Sequence, residues 1–275
     1  MAKDFDTRPT TAVILARGLG TRMRAASDTT QLEGQAAAAA DAGVKGMIDV
    51  GRPFLDYLVS ALADAGITEV CLVIGPEHDM IREHFASLDL TRVRVRFAVQ
   101  EKPLGTADAV AAARDAVGER RFLVLNSDNY YPVEALSALL EAPGSALLGF
   151  ERTALLAESN IPEERIQAFA ILDVDEDSHL ARIIEKPDHA TLAQFGESAP
   201  ISMNAWLFTP AIFDACDAIS PSIRGEYELA SAVAHAIDSG ETFTVVPVAA
   251  GCLDMSRRDD IAAVREHLSH VDVVL

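Results

Sequence analysis

TAVILARGLGTRMR, residues Thr11–Arg24, is an apolar run that ends in a turn carrying Gly18, Gly20 and the arginines Arg17, Arg22 and Arg24. Consecutive apolar residues, rather than alternating ones, mark a strand buried on both faces of a sheet. Comparable runs recur as TEVCLVIG from residue 68, VRVRFAV from 93 and RFLVLN from 121. Between the first two lies PFLDYLVSALADAG, whose Phe54, Leu55, Leu58, Leu62 and Ala65 follow a helical period. Strands and helices in alternation give a parallel sheet with right-handed crossovers. The glycine turn then falls at the carboxyl edge of the sheet, where such folds hold their ligands.

After about residue 145 the rhythm changes to closer strands, SALLGF, FAILDV, HLARIIEK and ISMNAWLF, followed by helical spacing from Glu226 to Ile237. The expected fold is α/β: a Rossmann-like, mostly parallel sheet flanked by helices, with a mixed α+β lobe in the second half. No Gly-, Pro- or Ser-rich linker divides the halves, so one continuous sheet is expected to carry the second lobe. The Ala-rich stretch 31–43 reads as a helical insertion, a surface helix of high propensity.

The chain has 275 residues and a formal net charge of −19. That charge argues against a partner such as duplex nucleic acid or an anionic membrane, since both need a basic face. A polyanionic ligand must then be met by a local basic cluster, which gives the arginines of the first turn their weight. Cys71, Cys216 and Cys252 are widely spaced and odd in number, so neither a disulfide framework nor a zinc pattern is expected. The start, MAKDFDTRPT, has no apolar leader core, and no run approaches the ~18 apolar residues of a membrane span. A soluble, cytoplasmic protein is the expectation; a homo-oligomer is left open.

Two phosphate-binding loops can be tested on the first turn. The dinucleotide fingerprint needs a third glycine, but Gly18-Leu19-Gly20 is followed by Thr21, Arg22 and Met23. A P-loop needs Lys after its last glycine, and none follows Gly20. What remains is a glycine turn with a guanidinium beside it, whose planar fork suits a triphosphate. The alternative is a solvated loop with incidental arginines.

The turn resembles the L-A-G-G-x-G-T-R signature of the sugar-1-phosphate nucleotidyltransferases, the nucleotide-sugar pyrophosphorylases. VKGMIDVGRPFLDYLVSALADAGI is similar to that family's Lys segment and Gly-x-Pro helix, QEKPLGTADAV to its base loop, VLNSDN to its metal-binding strand end and IIEKP to its sugar-phosphate motif. NAWLF, RGEYEL and GCLDM resemble the later sugar-site and second metal-site segments. The ordered set spans about residues 11 to 268.

The resemblance implies one nucleotidyltransferase domain over 1–275, with a nucleotide-binding half at about 11–145 and a sugar-binding half at about 146–275. It implies attack of a sugar-1-phosphate on the α-phosphorus of a nucleoside triphosphate, UTP or dTTP being favoured, with release of pyrophosphate. Leu15, Ala16, Gly18, Gly20, Thr21 and Arg22 would cradle the nucleotide, with Lys45 a second charge beside it. Gln100, Gly105 and Thr106 would address the base, the Gln side chain offering a donor and an acceptor to an imide edge. Asp128 and Asp254 would hold Mg²⁺, a hard ion that takes oxygen ligands; both are also residue types that cap turns and helices. Asn126, Glu185, Lys186, Asn204 and Glu226 would meet the sugar and its phosphate, and Arg22, Lys45, Asp128 and Lys186 would carry the catalysis. No appended acyltransferase domain is expected.

Four departures from the family pattern stand out. Arg17 and Ser127 replace usual glycines, 22 residues separate Arg22 from Lys45, and MSRRDD follows in place of a Gly-Thr-Pro segment. They keep two alternatives in view: a non-catalytic nucleotide-sugar-binding regulator, and a nucleotidyltransferase acting on a non-sugar phosphate. Trp206, Met23 and Met47 are expected in the core, and His267 and His270 on the surface.

Overall fold

The computed structural model describes residues 8–18, 20–25, 34–196 and 198–275. The four apolar runs of the first half form β1 (Thr11–Leu15), β2 (Glu69–Ile74), β3 (Arg94–Val99) and β4 (Phe122–Asn126). A short β5 (Asn129–Tyr130) follows, then β6 (Ser145–Phe150), β7 (Ile171–Val174), β8 (Leu180–Ile184), β9 (Ile201–Phe208), β10 (Phe243–Val248) and β11 (Leu253–Asp254). The main sheet runs β10-β6-β9-β4-β1-β2-β3, with β7 and β8 joined to it off this path. Its neighbours pair parallel except at β9, which is antiparallel to both β4 and β6. The later strands thus extend the sheet begun by the first half. β5 and β11 form a separate antiparallel ladder.

Continuous apolarity has a direct cause in β1. Ala12 and Ile14 face one core, with Leu72, Leu125 and the helix Phe54–Asp64, while Val13 faces the other, with Val73, Val124 and the helices Thr106–Ala112 and Leu229–Asp238. Aromatic rings strengthen the second core: Phe122 stacks on Phe213 at 5.2 Å and Trp206 on Phe208 at 5.6 Å. Each such ring contributes about 1.5–3 kcal/mol through burial.

Two expectations are corrected. VRVRFAV is an edge strand rather than a doubly buried one; only Ala98 of β3 is buried, and Arg94, Phe97 and Val99 are open to solvent. Its alternating arginines suit an edge, since charge there discourages pairing with another chain. The Ala-rich insertion forms the helix Gly34–Ala42, with 31–33 outside the described residues, and it is more than a surface helix. Ala39 and Ala40 are fully buried with Met23 and Met47 in the first core, and the Val44 N–H bonds back to Ala39 O at 2.9 Å. The insertion therefore delivers Lys45 to the sheet edge. Among the described residues no helix is long and apolar enough to cross a membrane.

Candidate active site

The carboxyl ends of β1, β3 and β4 open onto a cavity of about 420 Å³, within the roughly 300–1,000 Å³ usual for small-molecule sites. Of the residues singled out in the sequence, Leu15, Ala16, Gly18, Lys45, Gln100, Gly105, Thr106, Asn126, Asp128, Glu185, Asn204 and Glu226 line it. Gly20, Thr21, Arg22, Lys186 and Asp254 do not. Gly20 takes a left-handed conformation, φ +58°, and caps the short helix Thr21–Arg24, which turns Thr21 and Arg22 to solvent. No side chain fits at Gly20, because its Cβ would stand 2.4 Å from Gly43 O.

At the centre, Lys45 Nζ meets Asp128 Oδ2 at 2.6 Å, each side chain 19% exposed. Asp254, although off the cavity wall, is brought next to Asp128 by backbone pairing: it is opposite Asn129 in the β5–β11 ladder, and the Met255 N–H donates to Asp128 O at 2.8 Å. Burial first, then the Asp128 charge, pushes the Asp254 carboxyl above its ordinary value, outweighing its ion pair with Arg165 at 2.6 Å. Arg165 also holds Asp260 at 2.6 Å. Asn160 clamps the Asp254 backbone from both sides, donating to its O at 2.8 Å and accepting from its N–H at 2.9 Å. Asn160 and Arg165 were missed by sequence reading, which had no local pattern to find them by.

Two carboxylates, Asp128 in the turn between β4 and β5 and Asp254 on β11, with their charges repelling, fit a hard divalent cation. Among the described residues no group of three or more His, Cys, Asp or Glu converges, so the protein offers these two carboxylates and would leave other positions to phosphate and water.

At the end of the cavity where a base is expected, the Gln100 side chain is already engaged. Gln100, 4% exposed, donates both side-chain hydrogens, to Gly105 O at 3.0 Å and to Asp108 Oδ2 at 2.7 Å. Only its Oε1 remains to meet a base. Gly105, φ +115°, lets the loop cross Tyr227, whose carbonyl a Cβ would approach to 2.4 Å. Thr106 Oγ1 accepts from the Leu229 N–H at 2.9 Å, so its hydroxyl stitches this loop to the 226–229 segment.

The opposite end is shaped by strain. Asn204 is the one exposed residue of β9 and has φ +57°, conformationally rare for a residue with a side chain. Tyr131 Oη fixes the bend by donating to Met203 O at 2.7 Å. Lys186 also has a positive φ, 46°, and lies exposed beyond the wall. Desolvation on the cavity wall, then the nearby Glu228 carboxylate, pushes the Glu185 carboxyl above its ordinary value, although the residue stays open to solvent. Arg224 pairs with Glu228 at 2.9 Å and Glu226 at 3.7 Å. Trp206 is core, as expected, though its ring also borders the cavity.

A cavity at the carboxyl edge of a largely parallel sheet is where the nucleotide-binding class of α/β proteins takes its ligands. The chain belongs to the nucleotidyl transferase family, whose profile matches residues 11–260, bearing out the resemblance read in the sequence. It is 30% identical over 253 residues to a low-salt glycan biosynthesis nucleotidyltransferase of Haloferax volcanii, an alignment that covers 90% of this chain and 63% of that one. The chain thus spans less than two thirds of that relative. To a UTP–glucose-1-phosphate uridylyltransferase of the same organism it is 26% identical, covering 90% of this chain and 92% of the relative. Its fold matches the inositol-1-phosphate CTP transferase from T. maritima with a TM-score of 0.74 at 18% identity, over 98% of this chain and all of that one.

Proposed function

We propose that the protein transfers a nucleotidyl group from a nucleoside triphosphate, UTP or dTTP, to a sugar-1-phosphate. A phosphate oxygen of the sugar attacks the α-phosphorus, the bond to the β-phosphate oxygen breaks, and pyrophosphate leaves with that electron pair. The chemistry asks chiefly for in-line positioning and neutralised charge. Gly18 on the cavity wall and Lys45 at its centre supply the nucleotide's polar contacts; Arg22 and Lys186, exposed beyond the wall, swing in as phosphate-binding arms. Glu185, Asn204 and Glu226 take the sugar hydroxyls, and Asn126 lies beside its phosphate. Asp128 and Asp254 would hold Mg²⁺, which when bound would neutralise phosphate charge.

The observation that carries this reading is the Lys45–Asp128 pair at 2.6 Å in the turn after β4, with Asp254 on β11, the strand paired with β5. It supports catalysis over a binding-only regulator, because a cation and a carboxylate meet at the cavity with a second carboxylate, Asp254, near enough to feel the Asp128 charge. The relative named for UTP and glucose-1-phosphate supports the substrates. A second reading, transfer to a non-sugar phosphate, draws on the fold's likeness to an inositol-1-phosphate transferase.

Pyrophosphate release across a matrix of triphosphates and phosphorylated acceptors separates the two. Release that requires a sugar-1-phosphate supports the first; release with an inositol phosphate alone moves the protein to the second.

A further inference from the structure

Arg17 has no part in the function proposed above, yet it is built into the base end of the cavity. It stands on the cavity wall with its side chain only 8% exposed. Its Nη1 donates to the main-chain O of Gln100. Its Nε and Nη2 face the Glu77 carboxylate at 3.4 Å, the long end of hydrogen-bond range, so these donors are only loosely engaged.

Gln100 has little left to give. Its side-chain nitrogen lies between two groups that only accept, Gly105 O and the Asp108 carboxylate, which fixes the orientation of the amide. Its main-chain N–H donates to Ile74 O at 2.9 Å, and its main-chain O is taken by Arg17. The wall therefore presents one acceptor, Gln100 Oε1, and beside it a guanidinium whose hydrogens cannot be lost by deprotonation.

We infer that Arg17 determines base specificity together with Gln100: Gln100 Oε1 accepts from a ring N–H and Arg17 donates to the carbonyl beside it. This selects the keto bases uracil, thymine and guanine over cytosine and adenine, which would set an amino group against the guanidinium. The inference rests on the nucleoside triphosphate reading of the cavity and adds the residue that reads the base, a donor the Gln side chain no longer supplies.

UTP and CTP differ only at this edge, so their dissociation constants test it directly. Equilibrium dialysis with Mg²⁺ would be run on the wild type, Arg17→Gly and Asp108→Ala, with pyrophosphate release measured in parallel. The wild type is expected to bind UTP at least about tenfold tighter than CTP, the worth of one well-made hydrogen bond. Arg17→Gly should shrink that ratio by weakening UTP. Asp108→Ala, which frees a Gln100 hydrogen, should shrink it from the other side by tightening CTP. A ratio unchanged in both variants, or a wild type that prefers CTP, overturns the inference while turnover leaves the proposed function standing. A wild type that binds no triphosphate overturns both. Binding without turnover removes the transferase reading alone, since the ratio of constants still decides the role of Arg17.

Discussion

Lys45 and Asp128 are 83 positions apart in sequence and 2.6 Å apart in space, an ammonium set on the carboxylate proposed to receive a divalent cation. On the proposed function, Lys45 and the metal would compete for one group. Replacing Lys45 with Ala should lower kcat/KM by about 100-fold or more, the scale of losing one charged contact to the transition state. The same change should tighten Mn²⁺ binding in the absence of nucleotide, read by electron paramagnetic resonance. Weaker Mn²⁺ binding in the variant would sink the competition.

Arg165 is the counter-charge for two carboxylates, Asp254 and Asp260, all three side chains largely buried. Removing one partner of a buried pair leaves an uncompensated charge, a loss of about 3 kcal/mol or more. Arg165→Ala should thus lower the urea midpoint clearly, whereas a surface change such as Arg94→Ala should not. An Arg165→Ala protein as stable as the wild type would show that the ion pair holds nothing in place.

Asn204 allows its backbone and its side chain to be tested apart. Asn204→Gly keeps the left-handed conformation at low strain, while Asn204→Ala forces a Cβ into it at about 1 kcal/mol. We expect thermal stability to fall in the Ala variant more than in the Gly variant, and acceptor KM to rise in both. If KM is unmoved in both, Asn204 does not touch the acceptor.

The buried thiols give a pH prediction. Burial pushes Cys71 to about 11 and Cys216 to about 12. Both native values lie above the unfolded one, so between about pH 9 and 11 the unfolded chain loses protons that the native state keeps. Stability from these groups is then complete below about pH 8.5 and declines as pH rises, by up to about 1.4 kcal/mol per pH unit for each thiol. Urea midpoints from pH 8 to 10.5 should fall more steeply for the wild type than for a Cys71→Ala, Cys216→Ala double variant. Parallel slopes would count against burial as the cause.

Much of this was legible in the sequence where local chemistry sets the structure. The buried strands announce themselves because both faces of β1 need apolar residues. Signals were present but underread in two places: the alternating arginines of β3, and an Asn in the middle of β9, a residue depleted in strands and tolerant of left-handed backbone. The role of Arg165 and the spent amide of Gln100 depend on contacts that no spacing encodes. Arg165 meets Asp254 across 89 positions, and Asp108 looks like an ordinary first-turn acid until its carboxylate is seen on Gln100.

The most direct test of the account is to follow the phosphorus nuclei. ³¹P NMR of wild-type protein with Mg²⁺, UTP and glucose-1-phosphate should show pyrophosphate and a sugar-linked diphosphate appearing in equal amounts, and neither should form with Asp128→Asn. Triphosphate that stays intact across every phosphorylated sugar, or product that forms equally well without the Asp128 carboxylate, would contradict transfer at this cavity.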